Sequence, residues 1–144
     1  EHEANIMLDC RRHPVVEGGM SCTLRDLARF GLTYLQDGEI GGRQVIPAAW
    51  VADTFDGDDA ALAAFEAQDG GNHDGWAMYR NAFWVVRQGR IATGSGIFGQ
   101  SCFVHRPSRT VIARFSTWPE AFPLDIAEEV WGAAGSIVEH LWSR

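Results

Sequence analysis

Residues 92–101 read ATGSGIFGQS and set Gly94, Gly96 and Gly99 among apolar and hydroxyl-bearing neighbours. Backbone without Cβ atoms lets another molecule lie against it and reach its N–H groups, which is one way a chain offers hydrogen bonds to a carbonyl oxygen. The same glycines also suit a bulge at the entry to an antiparallel strand, and the stretch taken alone favours that reading. Other chemistry is excluded more firmly. All 12 basic residues are arginine, so these 144 residues hold no P-loop lysine, Schiff-base lysine or lysine general base. Cys10, Cys22 and Cys102 are odd in number and widely spaced, which fits neither a disulfide framework nor a paired CxxC zinc site; they read as free, mostly buried thiols. Asp9, Cys10 and His13 make half a ligand set without a second half, and His2 and His73 each merely adjoin a carboxylate, so no metal and no cofactor is expected.

The elements that would position the glycine stretch can be read from periodicity. Thr23 and Asp26 form a capping-box-like start; Leu24, Leu27, Ala28, Gly31, Tyr34 and Leu35 share one face; Gly38 supplies a left-handed stop, giving a helix over about 23–37. Arg25, Asp26 and Arg29 on this helix read as a solvated face with an i,i+3 pair. Gly41-Gly42 suggests a small hairpin, and Pro47 opens a second helix through AAWVADTF. Residues 56–75 mix an alanine-rich helical turn with acidic and glycine-rich flanks and read as an exposed excursion with one short helix. From Trp76 onward AFWVVRQGRIATGSG, QSCFVHRP and RTVIARFSTW are β-branched and aromatic, predicting three antiparallel strands with a turn at 106–109. Pro123 introduces a long terminal helix whose Ile126, Val130, Ala134, Ile137 and Leu141 share a face suited to packing on the sheet. The fold class is α+β, an antiparallel sheet packed by helices, in a single segment over 1–144.

The whole-chain balance narrows the partners. The 46% hydrophobic content with 11% aromatics can bury a core, and the net charge of −7 is spread without a basic block, so nucleic acid and anionic membrane are poor partners. No apolar run approaches the roughly 20 residues of a membrane-spanning helix. The chain reads as soluble, with a cytoplasmic setting favoured over a periplasmic one, and the missing initiator methionine makes it read as a piece of a longer protein.

GGMSCTLRDLARFGLTYLQDGEIGGRQVIPAAWV, NAFWVV, GIFGQSCFVHRPSRTVIARFS and the terminal helix together resemble the C-terminal part of serine β-lactamase-like hydrolases. The resemblance is closest to the 6-aminohexanoate-dimer (nylon-oligomer) hydrolase branch, which is related to class C β-lactamases and some esterases. It covers nearly all of the chain but only the last third or so of such a protein, and implies the C-terminal portion of a β-lactamase/transpeptidase-like fold. It further implies an upstream portion carrying a Ser-x-x-Lys nucleophile and a Tyr partner. Ser-x-x-Lys needs a lysine, so the nucleophile lies outside these residues. In such enzymes serine attacks an amide or ester carbonyl, an acyl-enzyme forms, and backbone N–H groups hold the oxyanion.

By the same resemblance, Ser95 occupies a variable position and Gly96-Ile97-Phe98-Gly99-Gln100 matches the Gly-Ile-x-Gly-Gln pattern of the branch, on the strand beside the site. The Ile97 N–H is then the oxyanion donor, with Ser21, Ser95, Gly96, Phe98, Gly99 and Gln100 as substrate-binding positions. A second alignment sets Ala92-Thr93-Gly94 on the Lys-Thr-Gly triplet of lactamases, with the Ser95 N–H as donor. Alanine then replaces the triplet lysine, which argues against β-lactamase activity and against a penicillin-binding or D-alanyl peptidase relative. Tyr79-Arg80-Asn81 spells a Tyr-x-Asn motif in the wrong order and reads as chance plus an aromatic core contact. Six tryptophans read mainly as core and sheet packing, with only Trp84 and Trp118 near the glycines by sequence. The expected partners are a small-molecule amide or ester, the upstream part of the same protein, and a second copy meeting it through unpaired surface. The chain alone is expected to be catalytically dead. The alternative is a stand-alone noncatalytic α+β domain that binds a ligand or protein.

Overall fold

Thr23 starts the first long element: its hydroxyl accepts the Asp26 N–H at 3.2 Å and donates to the Asp26 carboxylate at 2.5 Å, so the two side chains close on each other at the helix start. The computed structural model describes residues 4–16, 18–68, 75–86 and 90–143, so His2, His73 and the 87–89 connection lie outside the described residues. Two short strands, β1 (Asn5–Ile6) and β2 (Met20–Ser21), pair ahead of helix α1 (Leu24–Leu35). Gly38, at φ +89°, then donates its N–H to the Thr33 carbonyl at 2.8 Å and ends the helix in the left-handed conformation expected of it. The Gly41-Gly42 hairpin joins β3 (Glu39–Ile40) to β4 (Arg43–Gln44), and α2 (Ala48–Asp56) follows Pro47. The excursion holds one short helix, α3 (Asp59–Glu66), capped by Asp58 and packed along the strand that follows.

The sheet has five strands where three were expected. Its order is β5 (Trp76–Arg80), β6 (Phe83–Val86), β7 (Ile91–Ser95), β8 (Ser101–His105) and β9 (Thr110–Arg114), an antiparallel meander. The long run beginning at Ala82 is two strands rather than one, and Trp76–Arg80 is a further strand. Asn81 and Ala82 both take positive φ, 51° and 67°, and together make a tight turn that sets Arg80 opposite Phe83. Ala82 has no composition signal for that conformation, which is why the turn was hidden. The turn at 106–109 joins β8 to β9 as expected.

One face of the sheet presents Met78, Val85, Ala92, Cys102 and Val104 to Tyr34 and Leu35 of α1 and to Val51 and Phe55 of α2. The helix comes close because position 31 is glycine: a Cβ there would lie 2.6 Å from Val111 and 2.8 Å from the Cys102 sulfur. The opposite face carries Phe103 and His105 beneath α4 (Leu124–Trp142), which buries Ala127, Ala134 and Val138. Among the described residues no helix is long and apolar enough to cross a membrane.

Candidate functional site

The glycine stretch lies where the sheet loses a strand. The turn at Asn81-Ala82 ends β6 early, so its ladder with β7 stops at Trp84 and Thr93, whereas β8 continues to pair Gly94 with Cys102 and Ser95 with Ser101. The far end of β7 therefore has a strand on one side and open ground on the other. An ion pair holds that turn in place: Arg80 clasps Asp53 with two nitrogens, Nε at 2.9 Å, while the Asn81 amide donates to Asp53 at 2.9 Å and to the Thr54 hydroxyl at 3.0 Å. The Arg80 hydrogen bond, then that of Asn81, keeps the Asp53 carboxyl below its ordinary range. Tyr79 is not the core contact expected of it: it is 54% exposed and rests on the Trp84 ring at 4.8 Å.

Residues 96–100 are not strand. Ile97–Gly99 forms a single 3-10 turn, in which the Gly99 N–H donates to the Gly96 carbonyl at 3.3 Å, and the Gly96 N–H donates to the Gln100 carbonyl at 2.8 Å across its base. The expected donor thus sits just past the strand rather than on it. Two backbone bonds fix the turn from outside, Phe98 N–H to the Ala121 carbonyl at 2.8 Å and Trp118 N–H to the Phe98 carbonyl at 3.2 Å. The Arg114 guanidinium donates to the Gly99 carbonyl at 2.9 Å. Phe98 is at φ 60° and Gly99 at φ 88°, and a Cβ on Gly99 would meet the Trp118 ring at 2.5 Å. In this frame the Ile97 N–H donates to no carbonyl among the described residues, and Ile97 is 63% exposed.

Two hollows meet at this turn. One, about 550 Å³, is lined by Ser21, Ser95, Gly96 and Gln100 with Tyr79 and Phe30. The other, about 470 Å³, is lined by Ser95, Gly96 and Ile97 together with aromatic side chains. Of the expected site residues, Ser21, Ser95, Gly96, Ile97 and Gln100 are brought together. Phe98 and Gly99 line neither hollow, because their backbone and the Gly99 surface are committed to residues 118–121 and Trp118. Buried side-chain atoms without a partner concentrate here: the hydroxyls of Thr93, Ser95 and Ser101, the Gln100 carbonyl oxygen and the Trp118 indole nitrogen. Such atoms suit a bound polar group or water.

The surroundings of both cysteines in the first hollow disfavour the thiolate form. Burial pushes the Cys102 thiol up to about 11, and burial, followed by the nearby Asp26, raises Cys22 as well. Asp26 is held low, first by the Thr23 hydroxyl and then by Arg29 at 2.6 Å, so it stays a carboxylate engaged in the helix start. Asp9 spends one carboxylate oxygen on the Arg11 and His13 N–H groups, each at 2.8 Å, closing a local turn. What the sequence did not reveal is the aromatic wall. Trp84 and Trp118 do flank the glycines, but Trp76 and Trp131 join Trp84 at the second hollow across long separations in the chain. No local signal could have placed them.

No family model matches the chain. Over 121 residues it is 30% identical to the 6-aminohexanoate-dimer hydrolase of Paenarthrobacter ureafaciens, a match covering 83% of this chain and 30% of that protein. It superposes on a solved Bacillus anthracis structure, provisionally named a 6-aminohexanoate-dimer hydrolase, with a TM-score of 0.74 and 26% identity over 96% of this chain and 34% of that one. The chain spans about a third of the length of these relatives. With its antiparallel sheet and long last helix it has part of a β-lactamase-like fold, and it is a homologue, over about a third of their length, of the 6-aminohexanoate-dimer hydrolases.

Proposed function

We propose that this chain is the C-terminal part of a serine hydrolase that cleaves amide or ester bonds of small molecules through an acyl-enzyme, and that the Ile97 N–H is one of its oxyanion donors. The observation that carries the reading is a backbone N–H that donates to no carbonyl among the described residues, set just past the end of β7 in a residue that lines the second hollow, beside Ser95 and Gly96, which line both. As a serine oxygen adds to the substrate carbonyl, the carbonyl oxygen takes up negative charge; a donor already fixed in place stabilises that charge without reorganising. Ser21, Ser95, Gly96 and Gln100 then form the wall against which the substrate lies. The attacking serine and its Lys/Tyr base come from polypeptide outside these residues, which contain no lysine.

Alone, the chain is expected to leave nitrophenyl esters and nitrocefin at background turnover. A serine-directed phosphonate that labelled it stoichiometrically would overturn the assignment. In the enzyme assembled with its nucleophile-bearing part, replacing Ile97 by its α-hydroxy acid turns the N–H into an ester oxygen. That change is expected to lower kcat by about 100- to 1000-fold with KM little altered.

A further inference from the structure

Five aromatic rings line the second hollow in an unbroken arc. Phe65 meets Trp84 at 6.2 Å, Trp84 meets Trp76 at 6.3 Å, Trp76 meets Trp131 at 5.5 Å, and Trp131 meets Phe122 at 5.8 Å. They come from α3, β5, β6, α4 and the segment before α4, so the arc exists only in the folded chain. Leu124 and the turn at Ser95, Gly96 and Ile97 complete the wall. The rings do not fill the space between them, which is about 470 Å³; a second void of about 160 Å³ under α4 shares the Trp76 and Trp131 walls. A chamber of that size falls within the range of small-molecule sites.

The lining specifies the guest. None of its nine lining residues is charged, so among the described residues a charged group would meet no ionic partner in the wall. The ring edges and faces favour a flat apolar group in offset or edge contact. One wall is different: it carries Ser95, whose buried hydroxyl has no hydrogen-bond partner among the described residues, and Ile97, whose N–H donates to no carbonyl among them. A ligand that satisfied both would carry a carbonyl a few bonds from an aromatic ring.

We infer that this chamber seats the neutral aromatic portion of the amide or ester whose carbonyl meets Ile97. Assigning that group to a substrate rests on the hydrolase reading, but the binding itself does not. The chamber therefore sets a preference for aromatic over cationic substituents at this end of the substrate.

Binding is measurable on the 144-residue chain without turnover. Titrating it with 4-phenylbutanamide is expected to quench tryptophan fluorescence saturably, with an affinity at least about tenfold above that for 6-aminohexanamide. Leu124, 54% exposed at the wall, offers a way to block the chamber without opening the core: Leu124→Trp is expected to abolish quenching at unchanged melting temperature. Ser95→Ala is expected to weaken the amide severalfold and leave butylbenzene unaffected. Absence of saturable binding, binding indifferent to Leu124→Trp, or equal affinity for the ammonium compound would each overturn the inference. The last would mark a cation-binding cage instead. None of these failures touches the role of Ile97, which the amide-to-ester replacement reads separately.

Discussion

Gly96 and Gly99 stand three positions apart and do opposite work. Gly99, at φ 88° with the Trp118 ring in the way of any Cβ, is required by the fold; Gly99→Ala is expected to cost roughly 2–4 kcal/mol in urea unfolding. A Cβ on Gly96 meets only Gln100, at 3.4 Å, so Gly96→Ala should change stability by no more than about 0.5 kcal/mol while narrowing both hollows. Measured together, the two variants separate a glycine kept for folding from one kept for access. The cysteines give a second check at this scale. Iodoacetamide at mild alkaline pH should modify exposed Cys10 first and the half-buried Cys22 more slowly. Cys102, buried and raised to about 11, should react only when the chain unfolds.

Among the elements, the β5–β6 turn governs how much of β7 is left bare, and it is held by an unlikely residue. Ala82 adopts φ 67°, a conformation glycine takes at no steric cost, so Ala82→Gly is expected to stabilise the chain by about 1 kcal/mol, read as a higher urea midpoint at unchanged slope. Asp53→Asn removes the charge from the Arg80 clasp and should destabilise the same turn. This turn also shows where the sequence was legible. Helices α1, α2 and α4 and the β3–β4 hairpin follow from local signals, namely a capping threonine, prolines before helices and paired glycines, all of which act over a few residues. The Asn81-Ala82 reversal depends on Asp53 and Thr54, 27 or 28 residues upstream, and no local pattern announces it. At the site, Ser95, Gly96 and Ile97 could be picked out from their motif. The departure of residues 97–99 from strand geometry could not, because backbone partners at 118 and 121 impose it.

For the molecule as a whole, one apolar surface and one buried histidine bear on behaviour in solution. Ile6, Met7, Leu8, Val16, Met20 and Leu24 are all exposed apolar residues near the β1–β2 pair. An isolated chain with such a patch is expected to self-associate as its concentration rises, seen as a shift in sedimentation, whereas a stand-alone binding domain would stay monomeric. His105 is buried below α4, where its Nδ1 accepts the Ser108 N–H at 3.3 Å. Burial, then the charge of Arg90, lowers its pKa beneath the ordinary 6.5, against a smaller opposing pull from Glu139. The unfolded chain therefore takes up a proton at a pH where the folded one does not. Stability is full above pH 6.5 and falls as pH drops below it, and His105→Gln should flatten thermal melts in that window. Asp53 and Asp26, also held low, act in the same sense but in a more acidic window. Their contribution is present above the ordinary carboxylate range and disappears only at more acidic pH, so the two effects can be resolved. The backbone ties from Phe98 to residues 118 and 121 have a mechanical consequence. That segment runs directly into α4, so a displacement of the last helix would carry the Ile97 amide with it while the β7–β8 ladder stayed still. The turn that carries the proposed donor is thus anchored in the helix layer, and packing defects there are expected to shift the Ile97 amide before any strand comes apart.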